Sequence, residues 1–185
     1  MPLGIGDQIT VRAMRAEQGL MEFRSVGYSL PLGENGLRLS LSGSAVDYRV
    51  AGDFAALGIE GLVNSREVSL TYPLRRSRVS NIILTGGVKS TESRQSALNA
   101  PLSASRLNIA TVGSAANWVH ADSSATSLSA TYSSNFRNNY GNDPDALRGK
   151  VELDFTHLTG ISPRWDLHTR VNVMAGAGAV PDTEK

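Results

Sequence analysis

The 185-residue sequence contains no cysteine. That absence removes disulfide frameworks, thiolate zinc sites and cysteine nucleophiles, and it suits an oxidising compartment where stray thiols are a hazard. Long apolar runs are missing too. The longest weakly polar stretch, Val173 to Val180, is mostly Ala and Gly and falls far short of the ~20 residues a membrane helix needs, which excludes helical membrane spans. Aromatics make up 6% of the chain, and Leu, Ile, Val and Phe together only about a quarter, a thin core for one domain of this length. Charge of one sign is also lacking: 18 basic residues face 17 acidic ones along the whole chain, with only Arg75, Arg76 and Arg78 clustered. Such a balance carries no nucleic-acid footprint. The opening MPLGIGDQ has no basic region, apolar stretch or small-residue cleavage site, so no secretory signal is expected in it.

What is present is period-2 alternation, set among abundant Ser (22) and Gly (18). Helical i, i+3, i+4 stripes are nearly absent, so the pattern predicts an all-β chain. Nine strands are expected, near 7–15, 20–30, 37–49, 62–72, 81–90, 105–118, 125–134, 149–158 and 165–176. Their connections alternate in length: short PLGENG, long AGDFAALGIEG, short PLRRSRVS, long TESRQSALNAPLSA, short HADSS, long NFRNNYGNDPDALR, short TGISPR. Tight turns at one rim and longer loops at the other predict an antiparallel up-and-down transmembrane β-barrel, whose strands of ~9–11 residues cross the bilayer tilted.

The strand faces agree with that expectation. Leu37, Leu39 and Leu41 oppose Arg38, Ser40 and Ser42; Val151, Leu153 and Phe155 oppose Glu152, Asp154 and Thr156; Trp165, Leu167, Val171 and Val173 oppose Asp166, His168, Arg170 and Asn172. Alternation alone fits a greasy face turned to lipid or to a core equally well. Aromatic placement favours lipid. Tyr28, Tyr72, Trp118 and Trp165 fall at the short-turn strand ends and Tyr48 and Tyr132 towards the opposite ends, as in two interfacial girdles where an apolar ring keeps a polar tip wet.

Chemistry-bearing constellations are sparse. His120, His157 and His168 lie in different segments without metal-ligand spacing, so no metal site is expected. Asp166 with His168, and Glu152 with Asp154, share strand faces two residues apart. Side by side on one strand, the two carboxylates do not flank a substrate bond as a glycosidase pair must, and a hydrated wall accounts for both pairs. Gly4, Gly6, Gly176 and Gly178 open no helix and carry no Lys-Ser/Thr partner, so no nucleotide or nicotinamide site is expected. No catalytic residue and no cofactor follow from the sequence.

Five blocks carry a family likeness: PLGIGDQ (2–8), YSLPLG (28–33), GLRLSLSGSAVDYRVAGDFAALGIEG (36–61), SLTYPLRRSRVSNI (69–82) and KVELDFTHLTGISPRWDLHTRVNVMAGA (150–177), the stretch from Tyr48 to Pro73 being the most specific. In these the chain resembles the haemolysin secretion/activation family, the transporters of two-partner secretion. The resemblance implies a Gram-negative outer-membrane barrel of sixteen strands. A signal peptide and two periplasmic POTRA domains precede it, and it carries an unfolded exoprotein, a haemolysin or adhesin, outward without nucleotide. On that pattern residues 1–185 look like part of the barrel domain, approximately strands three to eleven, with short turns periplasmic. The POTRA domains, the remaining strands and a lumen loop with a Val-Arg-Gly-Tyr tip would lie outside it. No motif residue of the family carries over.

The implied partners are the exoprotein and outer-membrane lipids, with no nucleic acid. Arg12, Arg38, Glu67, Lys89, Glu152, Asp154, Asp166, His168 and Arg170 are then expected on the lumen face, with Asp154, Asp166 and Arg170 helping to hold the lumen loop. Two other readings compete: a soluble secreted β-sandwich binding or adhesion module, and a passive porin.

Overall fold

In a computed structural model the chain forms one nine-stranded antiparallel sheet whose spatial order follows the sequence. The structure describes residues 5–16, 20–98, 100–122, 124–136, 139–140, 149–162 and 164–177. The strands are β1 (Gln8–Arg15), β2 (Met21–Leu32), β3 (Leu37–Arg49), β4 (Glu60–Arg76), β5 (Ser80–Ala97), β6 (Ala100–Val119), β7 (Ala125–Asn135), β8 (Gly149–Ser162) and β9 (Trp165–Ala177). Every neighbour is antiparallel, and β1 and β9 each pair on one side only.

Because side chains alternate, register fixes two faces. One contiguous row on the first face runs Ile9, Tyr28, Leu41, Val68, Val88, Ala110, and the next runs Leu30, Leu39, Leu70, Gly86, Val112, Tyr132, Val151. The opposite face carries Ser29, Ser40, Ser69, Gly87 and Thr111 at the same levels. The row that begins next to the first residue of β1 ends at Ser134, near the last residue of β7. This stagger is what tilted strands require.

Among the described residues no second layer covers the apolar face. Among the described hydrophobic residues only Ile109 is buried, at 5% exposure, while Val11, Val26, Leu41, Leu70, Val112 and Val173 are each at least 40% exposed. A two-layer sandwich would bury one face of each sheet, so the soluble-sandwich expectation is corrected here.

The nine expected strands are all present, several of them longer than expected; β8, for one, runs through Ser162 and takes in most of the expected TGISPR turn. TESRQSALNAPLSA, expected as a long loop, is the upper part of a β5–β6 hairpin whose first strand leads into a turn at Leu98. Its Ser, Gln and charged residues give no apolar alternation, yet ladder bonds need only backbone: Glu92 pairs with Arg106 and Ser93 with Ser105. Leu98 takes the left-handed conformation (φ 52°) that the tight turn demands, and its N–H donates to Leu57 O (2.9 Å), tying the tip to the 3-10 turn Gly52–Leu57. Likewise β4 runs past Pro73 to Arg76, because a bulge between Pro73 and Arg75 absorbs the missing N–H. Where β6 outruns β7, the Asn139–Tyr140 segment continues the ladder. Arg106 N–H donates to Tyr140 O (2.8 Å), Tyr140 N–H to Arg106 O (3.1 Å), and Asn108 N–H to Asn139 Oδ1 (2.8 Å).

At the β6–β7 turn the Asp122 carboxylate accepts bonds from the hydroxyl (2.7 Å) and N–H (3.0 Å) of Ser124. Those bonds hold its carboxyl below the usual carboxylate range. A lowered folded pKa means the contribution is full above the unfolded value of about 4 and is lost as pH falls through the folded one. Asp122→Ala should reduce amide-exchange protection at Ser124 at neutral pH, and the wild type should approach the variant only in acid below about pH 4. A face test is equally direct. In the membrane-inserted protein Leu41→Arg should cost about 2–4 kcal/mol in denaturant unfolding, while Ser42→Arg one residue away should cost far less.

Candidate functional site: the polar face of the sheet

The polar face is built by strand parity alone. All nine residues expected on a lumen wall fall on it: Arg12 pairs with Ser25, Arg38 with Thr71, Glu67 with Ser42 and Lys89, Glu152 with Thr131, Asp154 with Ser129 and Asn172, Arg170 with Thr156, Asp166 with Gly160 and His168 with Leu158. Seven of them form three groups, while Asp166 and His168 stand apart nearer the β8–β9 turn. In the first, Arg12, Glu67 and Lys89 share a hollow of about 460 Å³ with Ser25, Ser44 and Ser65, and Glu67 and Lys89 sit directly across adjacent strands.

The second group lies on β8–β9. Arg170 reaches Asp154 Oδ1 at 3.4 Å, and Asn172 Nδ2 donates to the same oxygen at 2.9 Å. Beside it, nearly buried Lys150 pairs with Glu152 Oε2 at 3.3 Å. In the third, Arg38 bends towards the turn end, donating to Ser29 Oγ (2.8 Å) and Gly6 O (3.5 Å). It thus braces the β1 entry against β2.

Between these groups the face is paved with hydroxyls. Ser65 Oγ and Thr91 Oγ1 are 3.2 Å apart, and Thr111 Oγ1 and Ser133 Oγ 3.3 Å apart. Small hydroxyls and paired charges offer many weak hydrogen-bonding partners and no deep binding pocket. Among the described residues no cluster of three or more His, Asp or Glu is placed to hold a metal ion.

The aromatic expectations divide by face. Tyr28, Tyr72, Trp118, Tyr132 and Trp165 share the apolar face by register. Tyr28 gives its polar tip a partner by donating to Asp7 Oδ2 at 3.1 Å. Tyr48 is a correction: it pairs with Met21 and Gly61 and so points to the polar face. Height along the strand had suggested a girdle residue, but parity decides the side. Its ring lies over Gly61, where an added Cβ would come within 2.3 Å of Tyr48 Cζ, and its hydroxyl accepts from Gln95 Nε2 at 2.7 Å. The brace therefore spans β3, β4 and β5.

Two arrangements had no sequence signal. Asp7, only 2% exposed, sits where the chain enters β1. Thr126 Oγ1 stands between His120 Nε2 (2.8 Å) and His157 Nδ1 (2.9 Å), two imidazoles far apart in sequence. Only the β6–β7–β8 register brings them together.

The model of the haemolysin secretion/activation protein family ShlB/FhaC/HecB matches residues 1–160. Among solved structures, CdiB from Escherichia coli superposes with a TM-score of 0.78 at 17% sequence identity, over 97% of this chain and 36% of CdiB. The chain thus spans about a third of that protein, and at this identity the likeness is one of fold. No curated protein sequence matches. The chain belongs to the haemolysin secretion/activation family, a family of outer-membrane β-barrel transporters.

The Tyr48 brace predicts a graded response. Gly61→Val should displace the ring and destabilise the sheet by about 1–3 kcal/mol. Tyr48→Phe, which loses only the Gln95 bond, should cost about 1 kcal/mol. Urea unfolding in vesicles separates the two.

Proposed function

We propose that this member of the haemolysin secretion/activation family is a section of the wall of an outer-membrane pore through which an unfolded partner exoprotein, a haemolysin or adhesin, leaves the cell. One observation carries the reading: a continuous apolar face, over which no described residue forms a layer, backs directly onto a face of hydroxyls and charges. Lipid suits the first face and a sliding polypeptide the second. In hydrocarbon every unpaired backbone group costs several kcal/mol, so the free sides of β1 and β9 call for further strands. On the family pattern the nine are approximately strands three to eleven of sixteen, with the tight turns periplasmic and POTRA domains upstream.

In this reading the polar face works by not holding on. Its carboxylates and cations are matched close by, as in Asp154 with Arg170 and Lys150 with Glu152. A passing chain therefore meets a field of low net charge and exchangeable hydrogen bonds. Transport in this reading would draw on the exoprotein's folding outside the cell.

The test is secretion by the complete transporter. Disrupting its gene should abolish release of the partner into the medium, and the protein should fractionate with the outer membrane and shift on gels with heating. Asp154→Asn with Arg170→Gln should leave the heat shift intact while changing single-channel conductance and lowering secretion. Unchanged conductance and secretion would remove the β8–β9 group from the working wall.

A further inference from the structure

The two borders of the apolar face are chemically unlike. Towards the tight-turn border it carries Tyr28, Tyr72, Trp118 and Trp165. At the loop border, on the same outward face, it ends in charge: Val26 is followed by Arg24, Ala45 by Asp47, Val68 by Arg66, and Ala110 by Asn108 and Arg106. The outward basic residues on β1–β6 at this level are Arg15, Arg24, Arg49, Arg66, Arg94 and Arg106, all arginines.

Four carboxylates accompany them. Glu22 lies 3.2 Å from Arg15, Asp47 2.8 Å from Arg24 and Glu60 3.7 Å from Arg49, while Glu92 is shared by Arg94 (4.0 Å) and Arg106. Six cations against four anions leave an excess of two positive charges. Arg66 is exposed and pairs with no described residue; its neighbours across the ladder are Gly43 and Ser90. The Arg15, Arg24, Arg49 and Arg94 side chains are 64–73% exposed, and exposed pairs of this kind are worth little, so a better anion displaces the carboxylate cheaply.

We infer that this arginine collar binds the phosphorylated glycolipid headgroups of the outer leaflet. The inference rests on the membrane reading above. A guanidinium presents parallel N–H donors that match a phosphate bidentately, which an ammonium does not, and arginine alone is used here. On β1–β4 the first charge lies one alternate position beyond the apolar band, and on β5 and β6 two positions beyond it, where the membrane reading puts the headgroups. The aromatic border, by contrast, offers rings and single polar tips suited to a leaflet without such a phosphate layer.

The test uses the complete transporter in detergent, titrated with bisphosphorylated lipid A, with dephosphorylated lipid A and with phosphatidylglycerol, and read by lipid retained in native mass spectrometry. The bisphosphorylated form should bind most tightly. Arg66→Gln, which breaks no ion pair or side-chain hydrogen bond among the described residues, should weaken it by about threefold, and Arg49→Gln added to it by about tenfold in all. Arg75→Gln with Arg78→Gln, at the opposite border, should leave it unchanged. Equal binding of dephosphorylated lipid A or phosphatidylglycerol, an unaffected Arg66→Gln/Arg49→Gln variant, or an equal loss in the Arg75/Arg78 variant would overturn the inference. If the wild type fractionates with the outer membrane, shifts with heating and secretes its partner while the lipid result fails, only the collar falls. If it does none of these, the membrane reading itself falls.

Discussion

A peptide group in hydrocarbon has no water to turn to, so each N–H and C=O must find a partner within the protein. The nine-strand ladder supplies those partners in unbroken sequence order, and two departures from regularity sit where the ladder would otherwise lose a bond. The bulge at Pro73 accommodates an imino acid without a donor. Asn139 and Tyr140 extend the ladder where β7 stops short of β6. Two positive-φ glycines, Gly33 and Gly36, turn the chain between β2 and β3 without interrupting either strand.

Once the backbone is committed to the ladder, side chains are left with one binary choice. Along the middle of the strands leucine, valine and alanine mostly take the outward side, and serine, threonine and paired charges mostly take the other. The sheet therefore needs no interior of its own, which is why only one described hydrophobic residue is buried. The low apolar fraction of the chain follows directly: one greasy residue in two, over the membrane-crossing part of each strand only.

Much of this was legible beforehand because the two-residue period is local. Leu37–Leu39–Leu41 and Trp165–Leu167 announce their face without knowledge of any neighbour, and all nine expected polar-face residues follow from that counting. What could not be read depends on partners across strands. Tyr48 sits at the right height for a girdle but on the wrong side, and its stacking place exists only because Gly61 is opposite. The upper β5–β6 hairpin lacks apolar alternation because it lies beyond the apolar band, so the signal that marks a strand is absent where the strand continues. His120 and His157 meet on one threonine through register alone.

The exposed apolar face also bears on how such a chain can change over time. A protein core is a solid whose side chains must interlock, so each substitution there is felt by several neighbours. Lipid tails are a fluid that moulds itself to any contour. At Leu41, Leu70 or Val112 one aliphatic side chain can therefore replace another without a compensating change elsewhere, provided it stays apolar. A wall solvated in this way is free to drift in sequence while its ladder holds the backbone still, consistent with a superposition at TM-score 0.78 on a protein sharing 17% of its residues.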